Sequence, residues 1–282
     1  MAENSAIAWT HHTFNPWWGC QKVSPGCDNC YAERDAARFA PDKVLWGVGS
    51  DRRTFHSKHW EEPLRWNGKS ESYQRTMQNF GKPFDRSRVF CASMADVFDN
   101  NAPPGERDRL WKLIKKTPAL DWLILTKRIG NAKDMLPDDW GDGYPNVWLG
   151  ATIVNREELL RDGPKLAAVP ARVHFWSCEP LLEDLGDIPV GLLPEWVIVG
   201  GESGPKARDT DITWIKSIVT QCRAAKTPVF CKQLGAKAVW SQPDDGIAEP
   251  PFWGRLSFID KKAGDPTEWP EELRVREFPN AS

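Results

Sequence analysis

The sequence predicts an α/β fold, a full or partial (β/α) barrel occupying one domain over residues 1–282. Three observations predict it. Short apolar runs recur from about residue 88 onward, helical patterns stand between several of them, and 282 residues is an ordinary length for one barrel. A doubly wound sheet is the alternative architecture for the same rhythm.

The apolar runs are "RVFCAS" (88–93), "WLILT" (122–126), "VWLGAT" (147–152), "VHFWS" (173–177), "WVIVG" (196–200) and "PVFCK" (228–232). Each is nearly continuous rather than alternating, the pattern of a strand buried on both faces. One further strand is expected near the N-terminus. The segment "GERDRLWKLIKK" places Leu110, Leu113 and Ile114 on one helical stripe behind Pro103 and Pro104. The segment "DITWIKSIVTQC" does the same with Ile212, Ile215, Val219 and Cys222, with Thr210 or Asp211 as N-cap. Strand, loop and helix repeating every 25–35 residues or so are consecutive βα units.

Two regions depart from the rhythm. Residues 41–87, which contain "RRTFHSKHW", are polar and rich in Trp, and are expected to form an insertion or cap after the first helix. Cations mixed with aromatics suit single-stranded nucleic acid, but a solvated loop with packed rings is the simpler expectation. Residues 236–282 are rich in Pro, Trp and charge and are expected to wrap the barrel irregularly.

A formal net charge of −2 gives no global basic field for nucleic acid. The first residues lack a basic start followed by an apolar run, and no stretch reaches the roughly 18 apolar residues of a membrane span. A cytoplasmic protein with no membrane association is therefore expected. There, seven cysteines at uneven spacing argue for metal or redox chemistry over a disulfide framework. Cys91, Cys178, Cys222 and Cys231 fall on predicted strands and a helix stripe and are expected in the core. His174 is expected to be a satisfied buried histidine.

The remaining thiols, Cys20, Cys27 and Cys30, lie in "NPWWGCQKVSPGCDNCYAERDAARF" with spacing Cys-x6-Cys-x2-Cys. Gly19, Pro25 and Gly26 suit a tight loop, and "YAERDAARF" continues as a helix whose N-terminus helps stabilise thiolates. Three readings of the trio stand side by side. It is an iron–sulfur cluster site with one iron left open, a structural zinc site completed by His11 or His12, or three reduced thiols without metal.

The opening "IAWTHHTFNPWWGCQKVSPGCDNCYAERDA" resembles the phage-type three-cysteine-motif proteins, a radical-SAM-like family largely of unknown function. The likeness continues through "SMADVFD" (93–99), "LILTKR" (123–128), "VWLGATIVN" (147–155), "SCEPLLEDL" (177–185), "VIVGGESGPKARD" (197–209), "CKQLG" (231–235) and "EWPEELRVREFP" (268–279). The resemblance implies a barrel of the radical SAM type in which Cys20, Cys27 and Cys30 hold a 4Fe-4S cluster. S-adenosylmethionine would chelate the open iron. An external electron donor would drive its reductive cleavage to a 5′-deoxyadenosyl radical that abstracts hydrogen from a substrate, with the cofactor carrying the hard chemistry. It further implies a nucleic acid or nucleobase as substrate class and a methyltransferase-like partner protein. The zinc-stabilised alternative is a nucleic-acid-binding or partner module without catalysis. Two features differ from the usual superfamily pattern. The first gap is x6 rather than x3, and the Gly-Gly-Glu tripeptide (200–202) follows a late strand instead of the second.

Active sites of βα barrels lie at the C-terminal ends of the strands. Those ends carry Ser93, Met94 and Asp96, then Thr126, Lys127 and Arg128, then Thr152 and Asn155. Later ends carry Ser177 and Glu179, then Gly200, Gly201, Glu202 and Ser203, and finally Lys232 and Gln233. Of these, Ser93, Asp96, Lys127, Arg128, Glu179, Gly200, Gly201, Glu202, Ser203, Lys232 and Gln233 are the cofactor-binding candidates. So polar a set directly after apolar strands requires a ligand or mutual pairing, such as Lys127 or Arg128 with Glu179 or Glu202. The glycine pair, with Lys206 and Arg208 downstream, suits an anion.

Overall fold

The computed structural model describes residues 2–241 and 253–280. The chain is mixed α/β and forms two compact units.

The first unit runs to Ala151 and includes Ala168–His174. Its elements are β1 (Ala2–Glu3), β2 (His12–Phe14), α1 (Tyr31–Phe39), α2 (Ser57–Asn79), β3 (Ser87–Cys91), α3 (Glu106–Lys115), β4 (Leu120–Thr126), the single turn α4 (Ala132–Met135) and β5 (Val147–Thr152). The strand order is β1-β2-β3-β4-β5. After the antiparallel β1–β2 pair, β2 to β5 are all parallel, with Phe90 facing Leu123 and Leu123 facing Trp148 in register. Order in space follows order in sequence, as in a singly wound sheet. Trp122, Leu123 and Ile124 are fully buried, as the continuous apolar run in β4 requires.

Residues 41–87 are not mainly a cap. About half of the segment is α2, a helix in the crossover from β2 to its parallel neighbour β3. Its buried residues, Trp60, Pro63, Trp66, Asn67 and Ser70, recur at helical spacing. Two of the five are polar, and Pro63 reads as a breaker, so the stripe is inconspicuous in the sequence. The polar pair is used structurally: Asn67 Oδ1 accepts from Ala119 N (2.9 Å) and Ser70 Oγ donates to Ala119 O (2.7 Å), fixing α2 to the start of β4. Phe14 meets Trp60 and Trp122 edge-on, and Trp66 stacks on His12 at 4.5 Å.

The second unit comprises Thr152–Ala167 and Phe175–Asn280. It contains α5 (Arg156–Ala167), most of β6 (Val173–Cys178), β7 (Trp196–Gly200), β8 (Thr210–Asp211), α6 (Ile212–Ala224), β9 (Val229–Gln233), β10 (Ala238–Ser241) and β11 (Trp253–Arg255). Strands β6, β7 and β9 are parallel and sequential, and β11-β10-β8 form a small second sheet. Asp211 caps α6 by accepting from Thr213 N (2.9 Å), and the expected stripe Ile212, Ile215, Val219 and Cys222 is buried. Asn155 Oδ1 accepts from Glu158 N (2.8 Å) at the start of α5.

The described part of the C-terminal tail is mostly irregular and holds two short strands. It contributes β10 and β11, and Val275 to Glu277 run beside β9, where Cys231 N donates to Val275 O (2.9 Å) and Glu277 N donates to Val229 O (3.0 Å). The tail thereby covers a sheet edge. Residues 242–252, 281 and 282 of that expected segment lie outside the described residues. Cys91, Cys178, Cys222 and Cys231 are buried free thiols, and half-buried His174 donates to Val169 O (2.7 Å). Among the described residues no helix is long and apolar enough to cross a membrane.

One buried carboxylate makes stability depend on pH. Asp121 on β4 is 5 % exposed, and burial pushes its pKa from 3.8 up to about 6, against the opposing pull of Arg86 and Arg88. The folded state holds this proton more tightly than the unfolded chain. Its contribution is therefore greatest below pH 4 and declines as pH rises to 6, by about 3 kcal/mol over roughly two pKa units. Asp121→Asn should flatten the stability profile between pH 4 and 6 and leave the variant more stable than the parent at pH 7, as measured by urea unfolding across that range.

Candidate functional site

The three thiols occupy the loop from the end of β2 to the start of α1. Backbone hydrogen bonds from two distant segments latch it. Gly19 N donates to Met94 O (3.0 Å), Cys20 N donates to Leu45 O (3.2 Å), and Gly47 N donates to Cys20 O (3.0 Å). Gly19 has φ +116°, and a Cβ there would stand 2.6 Å from Leu45 O and 2.9 Å from the Arg52 side chain. The latch therefore requires glycine.

Beyond Cys20 the loop closes through a 3₁₀ turn, Pro25–Cys27, with Ser24 Oγ accepting from Gly26 N (3.0 Å). Cys30 then becomes the N-cap residue of α1, whose Ala32 and Ala36, with Ala40 just past its end, pack with Leu45 and Met94. Tyr31 Oη donates to Ser93 O (3.1 Å). All three thiols are free, with Cys27 buried and Cys20 and Cys30 half-buried. As they stand, no three His, Cys, Asp or Glu side chains among the described residues are gathered closely enough to hold a metal ion. His11 Nδ1 accepts from Arg88 N (2.9 Å), while His12 sits in β2 against Trp66.

The ends of β3 and β4 meet this loop. Asp96 accepts four hydrogen bonds. Oδ1 receives Phe98 N (3.0 Å) and Thr126 Oγ1 (2.7 Å), and Oδ2 receives Lys127 N (3.0 Å) and Arg128 Nη1 (3.1 Å). Arg128, with its side chain 8 % exposed, also donates through Nη1 to Cys20 Sγ (3.4 Å) and through Nη2 to Gln21 O (2.6 Å). The predicted residue Arg128 thus touches the predicted thiol loop directly, and the predicted Asp96 holds it there. Burial pushes the Cys20 thiol pKa up, and the Asp96 charge adds to the rise while Arg128 opposes it. Burial also disfavours the charge on Arg128, but Asp96 and Cys20 outweigh it and hold the guanidinium firmly protonated.

A second buried ion pair underlies the same loop. Arg52 Nε donates to Asp99 Oδ2 (2.8 Å), with both side chains 2 % exposed, and Arg107 Nη2 donates to Asp99 O (2.6 Å). Residues 42–54, which carry the Leu45 and Gly47 latches, surround an open cavity of about 740 Å³. Some aromatic and cationic residues of the insertion stack on rings, while others of its cations pair with carboxylates, as Arg65 does with Glu62 and Lys69 with Glu3. The Arg53 guanidinium lies over Trp18 (5.0 Å) and Phe55 (5.5 Å), and Phe55 stacks on His59 (4.2 Å).

Asn15, completely buried just beyond β2, went unnoticed in the sequence. Its side chain donates to Ser93 Oγ (3.0 Å) and accepts from Met94 N (2.7 Å). Applying the strand-end rule to the N-terminal strand would have found it. Arg52, Asp99 and Gln21 carry no comparable signal.

The other candidates belong to the second unit, where they pair among themselves. Glu202 takes Arg208 in a fork, Nη2 to Oε1 (2.7 Å) and Nε to Oε2 (3.0 Å), and Arg208 N donates to Oε2 as well (2.8 Å). Lys232 Nζ lies 3.0 Å from Glu179 Oε1, and Ser177 Oγ donates to Glu179 Oε2 (3.4 Å). Gln233 Nε2 donates to Gly201 O (2.9 Å). A Cβ on Gly201 would stand 2.2 Å from Leu234 O, and one on Gly200 would stand 2.9 Å from Gln233 O. This glycine pair admits the neighbouring backbone of its own chain. Ser203 is exposed.

Residues 4–265 match the family described as "Protein of unknown function (DUF5131)", and the chain belongs to that family. No curated protein and no solved structure matches it.

The latch can be tested by comparing two glycines. Gly19 and Gly47 share nearly the same φ, +116° and +120°, but an added Cβ meets nothing at Gly47. Gly47→Ala should cost only backbone strain, about 1–3 kcal/mol. Gly19→Ala should lower the urea midpoint clearly further, because Leu45 O must move as well.

Proposed function

We propose that this member of the DUF5131 family is a radical-SAM-like iron–sulfur enzyme built on a partial (β/α) barrel. Its 4Fe-4S cluster would be held by Cys20, Cys27 and Cys30. The carrying observation is the set of three free thiols on a glycine-latched loop at the C-terminal end of β2, the end at which βα barrels do chemistry. The sequential parallel strand order in each unit supports the barrel over a doubly wound sheet.

The donor types are those a cluster takes, although as they stand no three of them are gathered closely enough to hold a metal ion. Three cysteines without a disulfide leave one iron for a second ligand, and Arg128 brings a cation to a thiolate-rich site. When bound, the group supplies the reductive cleavage of S-adenosylmethionine, with an external electron donor. The chain's own residues shape the site. The Gly19 and Cys20 backbone fixes the loop, Asn15 ties the ends of β2 and β3 together, and Asp96 orients Arg128. Hydrogen abstraction from a nucleic acid or nucleobase, and work beside a methyltransferase-like partner protein, complete the proposal on the strength of the family resemblance.

The zinc alternative asks His11 or His12 for a fourth ligand. It has less support, since His11 Nδ1 is engaged by Arg88 N and His12 is stacked on Trp66.

Anaerobic reconstitution with iron and sulfide decides between them. About four irons and four sulfides per chain are expected, and Cys27→Ala should lose them. One tightly held zinc per chain with no iron, lost in a His11→Ala and His12→Ala double variant, would overturn the proposal.

A further inference from the structure

We propose that Cys27 and Cys30 are a redox-active dithiol that closes reversibly to a disulfide by exchange with a small-molecule disulfide, Cys30 meeting the reagent first and Cys27 resolving the bond. This inference does not rest on the iron–sulfur reading. Among the described residues no three His, Cys, Asp or Glu side chains are gathered closely enough to hold a metal ion. The trio divides instead into one held thiol and one pair. Cys20 is the held thiol. Its Sγ donates to Gln21 O (3.6 Å) and accepts from Arg128 Nη1 (3.4 Å), and its backbone is latched to Leu45 and Gly47.

Cys27 and Cys30 belong to a single turn. Cys30 N donates to Cys27 O (3.3 Å), with Cys27 N donating to Ser24 O (2.9 Å) and Asp28 N to Pro25 O (3.3 Å) on the approach. Lys22 Nζ donates to Asp28 O (3.2 Å) inside the turn, and Arg34 N donates to Cys30 O (3.4 Å) as α1 begins. A bond from residue i+3 back to residue i brings the two Cα atoms to within about 7 Å, against the roughly 4.4–6.8 Å that a disulfide spans. Cys-x2-Cys leading into a helix is also the spacing of dithiol redox motifs. Closing so short a loop removes little chain entropy, so the disulfide adds little to fold stability and a reductant reopens it.

Access sets the order of events. Cys30 is half-buried at the head of α1, whereas Cys27 is 7 % exposed. The Cys30 thiolate attacks one sulfur of a disulfide such as oxidised glutathione, and the other sulfur leaves as a thiolate. The Cys27 thiolate then attacks the Cys30 sulfur and expels the second small thiolate. The chain gives up two protons and two electrons, which the small disulfide takes up as it becomes two thiols. Once closed, the pair withdraws two of the loop's three thiols from every other bond and leaves Cys20 on Arg128.

The test uses the reduced full chain, incubated with oxidised glutathione, denatured in acid, alkylated and mapped by mass spectrometry. All seven thiols should react before oxidation and five afterwards, with Cys27 and Cys30 joined inside the tryptic peptide 23–34. Dithiothreitol should restore all seven. Cys27→Ser should retain one glutathione on Cys30, Cys30→Ser should retain much less on Cys27, and Cys20→Ser should still lose two thiols. A disulfide that includes Cys20, a wild-type chain with every thiol still reactive, or a pair that closes only in urea overturns the inference. Equal glutathione uptake by the Cys27 and Cys30 variants overturns the assigned order. The wild-type map decides even where a variant fails to fold. A chain that closes the pair but binds no iron on reconstitution sinks only the iron–sulfur proposal, whereas one that loads iron but never closes the pair sinks only this inference.

Discussion

The four-fold satisfied carboxylate of Asp96 is the constraint on which the rest of the thiol site depends. It lies in the loop after β3 and accepts from the backbone just past β4, which ties the two loops together. It also neutralises and aims Arg128, which reaches the first cysteine. An arginine this buried would be costly without such a partner. Removing the carboxylate would therefore loosen two loops, one cation and one thiol together. The neighbouring pair of Arg52 and Asp99 repeats the arrangement beneath the loop, and both pairs place a charge where an apolar side chain would have packed more cheaply.

The parallel strands were legible because strands buried on both faces must be apolar throughout, and runs such as "WLILT" have no other simple explanation. The same logic failed for α2. Its buried face includes Asn67 and Ser70, which are there to bond Ala119 rather than to exclude water. A hydrophobic pattern cannot reveal a stripe held by hydrogen bonds. The run of Val275 to Glu277 beside β9 is hidden for a related reason, since it is made through backbone groups that leave no imprint on side-chain pattern.

At the candidate site, the strand-end rule found Asp96 and Arg128 and missed Asn15, which follows a strand of three residues. It also selected residues whose present partners are internal. Gly201 is a glycine because Leu234 O comes close, and Glu202 is an acid held by Arg208. Both would look the same in sequence if they served a ligand. The cysteines separate more cleanly. Burial pushes the thiols of Cys91, Cys178 and Cys231 up within strands, and it does so for Cys20 as well, but Cys20 and Cys30 sit half-buried on a loop whose curvature is fixed by glycine and proline.

The latch on Gly19 also bears on the order in which the protein is made. Its partners are Leu45 and Arg52 on one side and Met94 on the other, the last of them beyond β3. Contacts so distant along the chain close late, because the loop entropy between them is lost before any bond rewards it. As the polypeptide leaves the ribosome, the three thiols emerge before α2 and β3 and must wait for them before their loop takes shape. Until those segments have been made, the loop that carries the thiols cannot close.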